Sequence, residues 1–396
     1  MVQKLIKISN CAEPIAPASP DWRAFLSFGF RPLYLVGAMW AALAIAVWVF
    51  APQWLRPPLT GIAWHAHEML WGFIGTIAVG FLLTAGANWT GRNPLNGAAL
   101  AAMLVLWLIA RVGFLAGGDA AFIAAAAEIS FFLIAAVAMA RVVVLAHNTR
   151  NYVVPVLLLA LAGADAAFLY AIWLGEFVDA MRYVQVGLLV MCMITILIAG
   201  RVIPFFAARA VADLKPRAGT YTGYAQLVGT ALAIAGLLSA NMPLLVASIT
   251  GTGLLAIVQL IGWRPWSVRH KPLLWILYLG YAGLGVGLMV AGGHVAGLVA
   301  VSAVHVHVIA MAGFSVLIIG MITRTALGHL GRPLALDRSM LVSYVLLLTA
   351  VVFRLAALGL GPYSQLATQA SALAWIGAFA TYLWRFAPWL IRPRVD

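Results

Sequence analysis

Twelve runs of about twenty apolar residues, separated by short polar breaks, dominate this chain and make lipid its principal solvent. The runs lie at 33–51, 67–87, 97–117, 121–145, 153–174, 183–206, 222–240, 243–262, 272–292, 297–323, 340–360 and 366–387. Each is long enough for a helix to cross a bilayer, which takes ~20 mainly apolar residues. The breaks carry Pro, Gly, Asn or charge, as in Pro57-Pro58, Asn93-Pro94, Gly117-Gly118-Asp119 and Lys215-Pro216-Arg217, and none is long enough for a soluble domain. Only 9% of the residues are charged, against ~25% in soluble domains. Backbone polar groups in lipid must pair within their own segment, so helices are expected. The expected fold is all-α: a polytopic membrane protein of about twelve transmembrane helices. Residues 1–31 form a cytoplasmic arm and 32–396 a single transmembrane domain.

The formal charge of +13 would suit a nucleic-acid binder, but the basic residues sit in short loops between apolar runs, which excludes that class. With the N-terminus inside, 20 of the 24 Lys and Arg fall on the cytoplasmic side, leaving Arg56, Arg111, Arg182 and Arg354 outside. That asymmetry predicts an even helix number, both termini cytoplasmic, and a multi-pass protein of a bacterial inner membrane. Residues 8–30 hold Glu13, Asp21, Arg23 and three prolines, which is no secretory signal. Cys11 lies in the polar arm and Cys192 in an apolar run, so no disulfide is expected.

Segment 65–95 resembles segment 305–335 at a constant offset of 240 residues. The matches are His65 with His305, His67 with His307, Gly80 with Gly320, and Gly91-Arg92 with Gly331-Arg332. Gly200 lies 120 residues from both mid-helix glycines, with Gln185 and Gly187 standing where the histidines would be. Helices two, six and ten at a four-helix period suggest a pseudo-threefold arrangement of four-helix arcs.

His65, His67, His305 and His307 are the leading candidate metal ligands. Both pairs open helices that start on the extracytoplasmic side. A two-residue spacing turns side chains roughly 200° apart on a helix, so each pair serves two sites on opposite faces. Across helices, one histidine from each can take the two axial positions of a haem iron. Arg111 and Arg354 lie near the same layer, where guanidinium forks suit haem propionates. Glu68, Glu128 and Asp165 could orient imidazoles or carry protons, and an Arg111–Glu128 pair is the bland alternative. Met191-Cys192-Met193 offers soft donors for copper. His294 is a further candidate ligand, while His329 lies a membrane thickness away. With no Cys-x-x-Cys-His attachment motif, haem would be non-covalent and b-type.

At these residues the chain resembles the NnrS family of bacterial haem- and copper-containing membrane proteins linked to nitric oxide. The resemblance rests on Phe30-Arg31-Pro32, on Trp64-His65-Ala66-His67-Glu68-Met69-Leu70-Trp71-Gly72-Phe73 and on Asn88-Trp89-Thr90-Gly91-Arg92. Gly200-Arg201-Val202-Ile203-Pro204-Phe205-Phe206 in helix six and His307 through Gly328-His329-Leu330-Gly331-Arg332-Pro333 continue it. It implies haem b, copper as a further metal, nitric oxide or a related small molecule as ligand, and an electron-donating partner. Twelve helices with histidines on helices two and ten also resemble the catalytic subunit of haem–copper oxidases. Helices six and seven, however, lack the histidines of that copper site. The competing expectation is a secondary transporter of a metal or an anion, since twelve helices also fit that class.

Overall fold

The computed structural model describes residues 19–216, 220–301, 303–359 and 361–395, so most of the expected arm, with Cys11, lies outside it. Twelve long helices make up the described chain: α1 Phe30–Phe50, α2 Gly61–Thr90, α3 Gly97–Ala116, α4 Ala120–Leu145, α5 Val153–Trp173 and α6 Phe177–Ala210. They continue as α7 Thr220–Leu238, α8 Met242–Gly262, α9 Pro272–Val295, α10 Val304–His329, α11 Arg338–Ala357 and α12 Ser364–Leu390. Eleven are long and apolar enough to cross a membrane. α12 falls short in hydropathy, because Gln365, Thr368, Gln369 and Ser371 dilute its first half.

Local chemistry sets the helix ends. Asn241 and Asp337 accept from the backbone N–H groups of Leu244 and Met340, capping α8 and α11. Gly91 and Gly117 close α2 and α3 with positive φ, which favours glycine. Two starts differ from expectation. α2 begins at Gly61, so its histidines stand in the second turn rather than at the opening. α10 begins at Val304 rather than 297, because Gly297 turns left-handed after α9 and the chain runs on as a loop.

The ring of helices closes through α12, which packs between α11 and α1. The Trp375 indole donates to the Ala41 carbonyl of α1, while Ser343 and Ser371 hydroxyls bridge α11 and α12 through the carbonyls of Ala378 and Ala350. The two ends of the described chain lie together at one end of the bundle, where the Asp21 amide donates to the Ile391 carbonyl. Arg31 there donates to the carbonyls of Leu390 and Arg392, and the Val395 amide to Leu330. Outward faces carry Val112, Ile123, Val137, Val156 and Leu373, as a lipid-facing surface requires. α2 is the most interior of the eleven spans, and α7 the most peripheral.

The sequence repeat is also a backbone repeat. Directly after each His-x-His pair the helix widens into a π-helical stretch, Glu68–Gly75 in α2 and Val308–Ser315 in α10, again 240 residues apart. Such stretches often mark functional sites. Gly80 and Gly320 sit at close helix contacts, where an added Cβ would lie 2.9 Å from Leu33 and 2.7 Å from Ile276. Gly91 and Gly331 both take the left-handed conformation at the helix exits.

Candidate functional site

The two-residue histidine spacing does what helix geometry requires: on α2, His65 and His67 face different surroundings. His67 points into a dry cluster built from α1 to α5. Its Nδ1 lies 3.0 Å from Glu68 Oε1, and its Nε2 lies 3.1 Å from Asp165 Oδ1 and 3.2 Å from Glu128 Oε2. The Glu128 contact has ion-pair distance without hydrogen-bond alignment. Arg111 bridges Glu68 and Glu128, and the Trp40 indole donates to Glu68 Oε2 at 2.6 Å. His67, Glu68 and Asp165 are fully buried, and Arg111 and Glu128 nearly so.

Three carboxylates face one guanidinium here, so the cluster needs further positive charge to be stable in an apolar surround. Both His67 nitrogens also face carboxyl oxygens, so each contact needs a proton, on the imidazole or on the carboxyl, or a cation in its place. Nε2 of His67, with an oxygen each from Glu128 and Asp165, forms a group whose atoms all lie within 4.8 Å of one another. This buried triad could hold a metal. A divalent ion beside neutral His67 would balance the three carboxylates and Arg111 exactly in formal charge, and an imidazole–carboxylate set suits zinc, manganese or iron(II).

His65 faces the other way, into a cavity of about 210 Å³ among α1, α2, α6, α10, α11 and α12. There it meets His307, with ring centres 6.5 Å apart and planes 20° from parallel. The histidines that meet across the two helices are therefore His65 and His307, because His67 is turned toward the carboxylates of α4 and α5. His307 Nδ1 lies 2.7 Å from the Ala303 carbonyl, which draws the ring proton there and leaves Nε2 with a lone pair. His65 stacks on Trp48 at 5.0 Å, and its buried Nδ1 has no hydrogen-bond partner. Arg354 lines the same cavity and donates to Thr368 Oγ1 at 3.3 Å.

These residues fit a haem in donor type. Two imidazoles approach from separate helices, one arginine sits without a carboxylate partner among the described residues, and the remaining wall is mostly apolar. Space is tight against the ~300–1,000 Å³ of common ligand pockets. Met69, Met181 and Met311 line the cavity, and their unbranched chains can yield. Their thioethers are also soft donors of the kind copper prefers.

The remaining candidates part company. Arg111, expected near a propionate, is engaged by Glu68 and Glu128, so the internal pair is what forms. His305 turns away from the cavity and stacks on His294 at 4.9 Å, while His294 Nδ1 lies 2.8 Å from the Val299 carbonyl. Met191 lines a small apolar cavity, but the fully buried Cys192 does not share it. His329 lies against Phe30 at the opposite end of the bundle, ring centres 5.3 Å apart and tilted by 34°.

Two participants escaped the sequence reading. Trp40 reads as an interfacial tryptophan yet is buried and holds Glu68. Gly72 leaves room for the guanidinium: a Cβ there would run into Arg111 and come within 2.8 Å of Glu68 Oε2. The available signal was a glycine at 72 where the repeat has Ala312.

Three cavities follow one another between α2, α6 and α10. Ile74 lines both the histidine cavity and a middle one of about 90 Å³, and Phe81 and Val202 line both the middle one and a third of about 1010 Å³. Against known proteins, the model of a family described as NnrS protein matches residues 24–394. No curated protein matches the chain.

Proposed function

The chain belongs to the NnrS family, and from that premise we propose that it is an integral-membrane haem protein of nitric oxide metabolism or nitrosative-stress resistance. The observation that carries the reading is the convergence of His65, His307 and Arg354 on one apolar cavity. His307 would be the fixed ligand, its ring set by the Ala303 carbonyl. His65, which stacks on Trp48 and whose Nδ1 has no hydrogen-bond partner, would be the exchangeable one. Arg354 would hold a propionate. Haem bound there supplies a redox-active iron that binds nitric oxide when an axial position is open. Copper has two candidate homes: the thioethers of Met69, Met181 and Met311 beside the histidines, and the His67 triad. An electron donor is the expected protein partner.

The decisive experiment is the visible spectrum of the purified protein. A Soret band is expected in the wild type and should be lost in His65→Ala and His307→Ala. The row of cavities between α2, α6 and α10 also favours a second reading, a transporter pathway; a wild-type protein purified from haem-replete cells without a Soret band would support that reading and overturn the first.

The orientation proposed is cytoplasmic for both termini, and the domain division an N-terminal arm to residue 31 followed by one membrane domain. The 20-to-4 split of basic residues supports the orientation. So does the meeting of the two described ends at one end of the bundle, away from the histidine cavity. A reporter fused after Asp396 should be active only in its cytoplasmic form, and periplasmic activity there would refute the orientation.

A further inference from the structure

The third cavity lies at the end of the bundle away from the His65–His307 cavity, between the ends of α2, α6 and α10 and the start of α9. Its volume is about 1010 Å³, and its wall includes Arg201, Arg209, Lys271, Arg324 and His329 but no acidic residue. Basic residues at the cytoplasmic end of a membrane protein are ordinary, and most simply face water or headgroups. Those outside this cavity behave accordingly or find protein partners. Arg385 pairs with Asp337 at 2.7 Å, Arg31 donates to two backbone carbonyls, and Arg332 lies over the Trp389 ring.

Arg324, like Arg332, meets an aromatic face, but it has no carboxylate partner among the described residues. It is 93% buried, being 7% exposed, and its Nε has no hydrogen-bond partner. Its guanidinium lies 4.1 Å from the centre of the Phe206 ring, which covers one flat face and leaves the N–H edge for an acceptor. No carboxylate pairs with Arg201, Arg209, Lys271 or Arg324 among the described residues. Arg201 is partly satisfied by Asn151 Oδ1 at 2.5 Å and the Arg150 carbonyl. A cation held in an apolar wall without a counter-ion is costly, and here several converge on one space.

We propose that this cavity binds a phosphate-type anion, with Arg324 as its buried anchor and Arg209 and Lys271 at its more exposed wall. Phosphate oxygens match a planar guanidinium edge and can take further donors at the same time. The phosphate could belong to an anionic lipid headgroup or to a free phosphate compound. The proposal is independent of the haem reading, since the cavity shares no lining residue with the histidine cavity.

The test uses the full-length protein in nanodiscs. One arm titrates inorganic pyrophosphate into phosphatidylcholine discs and reads the heat of binding. The other counts phosphatidylglycerol molecules retained on the protein by native mass spectrometry. Heat in the first arm identifies a free phosphate, and retained lipid that pyrophosphate does not displace identifies a headgroup. Arg324→Gln should weaken whichever binding is seen by about tenfold or more, the scale of one charge-assisted contact. Exposed Arg92, at the same end but outside the cavity, serves as control, and Arg92→Gln should leave binding unchanged. Should Arg324→Gln fail to fold, the double variant Arg209→Gln/Lys271→Gln changes only exposed positions and must show the loss instead. No binding in either arm, or undiminished binding in the folded variants, overturns the proposal.

Discussion

α2 and α10 carry the same backbone device and use it differently. Each carries His-x-His within its first two turns, widens into a π-helical stretch, passes a closely packed glycine and ends on a left-handed glycine. Yet His67 is enclosed by carboxylates, while its counterpart His307 faces a cavity. His65 faces that cavity too, while its counterpart His305 stacks on His294. The repeat therefore preserves how the helix presents two side chains on opposite sides. What each side chain meets is decided by the neighbouring helices, and only α4 and α5 bring Glu128 and Asp165.

The largest expected effect tests which histidines hold the cofactor. His65→Ala and His307→Ala should each lower Soret absorbance per protein by about tenfold or more, since each would remove a proposed haem ligand. A folded His67→Gln should keep the band, as should His147→Ala and His270→Ala at exposed positions. A full band in both of the first two variants would break the comparison by removing the cofactor role from the cavity side.

The two arginines come next. Arg111→Met leaves Glu68 and Glu128 buried without their cation, a loss of about 3–5 kcal/mol. Arg354→Met gives up one long hydrogen bond, to Thr368, worth about 0.5–1.5 kcal/mol. Denaturation of both variants in the same detergent measures the difference. Equal losses would mean that Arg354 has a structural counter-charge and is not held ready for a ligand.

How much of this was legible follows from the kind of force involved. Lipid-spanning runs are set by composition over about twenty residues, so all twelve helices could be read, although polar residues weaken the signal in α12. Opposed histidines follow from helix pitch, and Arg111 with Glu128 from the need to neutralise buried charge. The partner of each histidine was not legible, because it depends on how the helices rotate about their own axes, and both pairs lie in the same layer. The π-helical stretches shift that rotation and have no compositional mark. Arg201, Arg209, Lys271 and Arg324 were read only as a topology signal, since nothing in sequence spacing shows that they share one cavity.

Gly72 tests the steric side of the comparison. Helix propensity alone predicts that Gly72→Ala stabilises the protein by about 1 kcal/mol. The structure predicts the reverse, because the new methyl would run into Arg111 and crowd Glu68 and Trp40. Overpacking of this kind costs about 1–3 kcal/mol. Thermal or denaturant unfolding gives the sign directly, and stabilisation would show that the Arg111 cluster has slack.

The reciprocal change in the other copy should have the smallest effect. Position 312 already carries alanine, for α10 has no buried guanidinium at that level. Gly283 of α9 instead packs against the Ala312 backbone, so the close approach comes from the glycine of the neighbouring helix. Ala312→Gly removes one half-buried methyl and adds backbone freedom, a loss of about 0.5–1 kcal/mol. Soret absorbance should not change, because Ala312 does not line the histidine cavity. A loss several times larger, or a loss of haem, would mean that the α10 stretch is held as tightly as its α2 counterpart. The two copies would then differ in the identity of their partners but not in how much the fold depends on them.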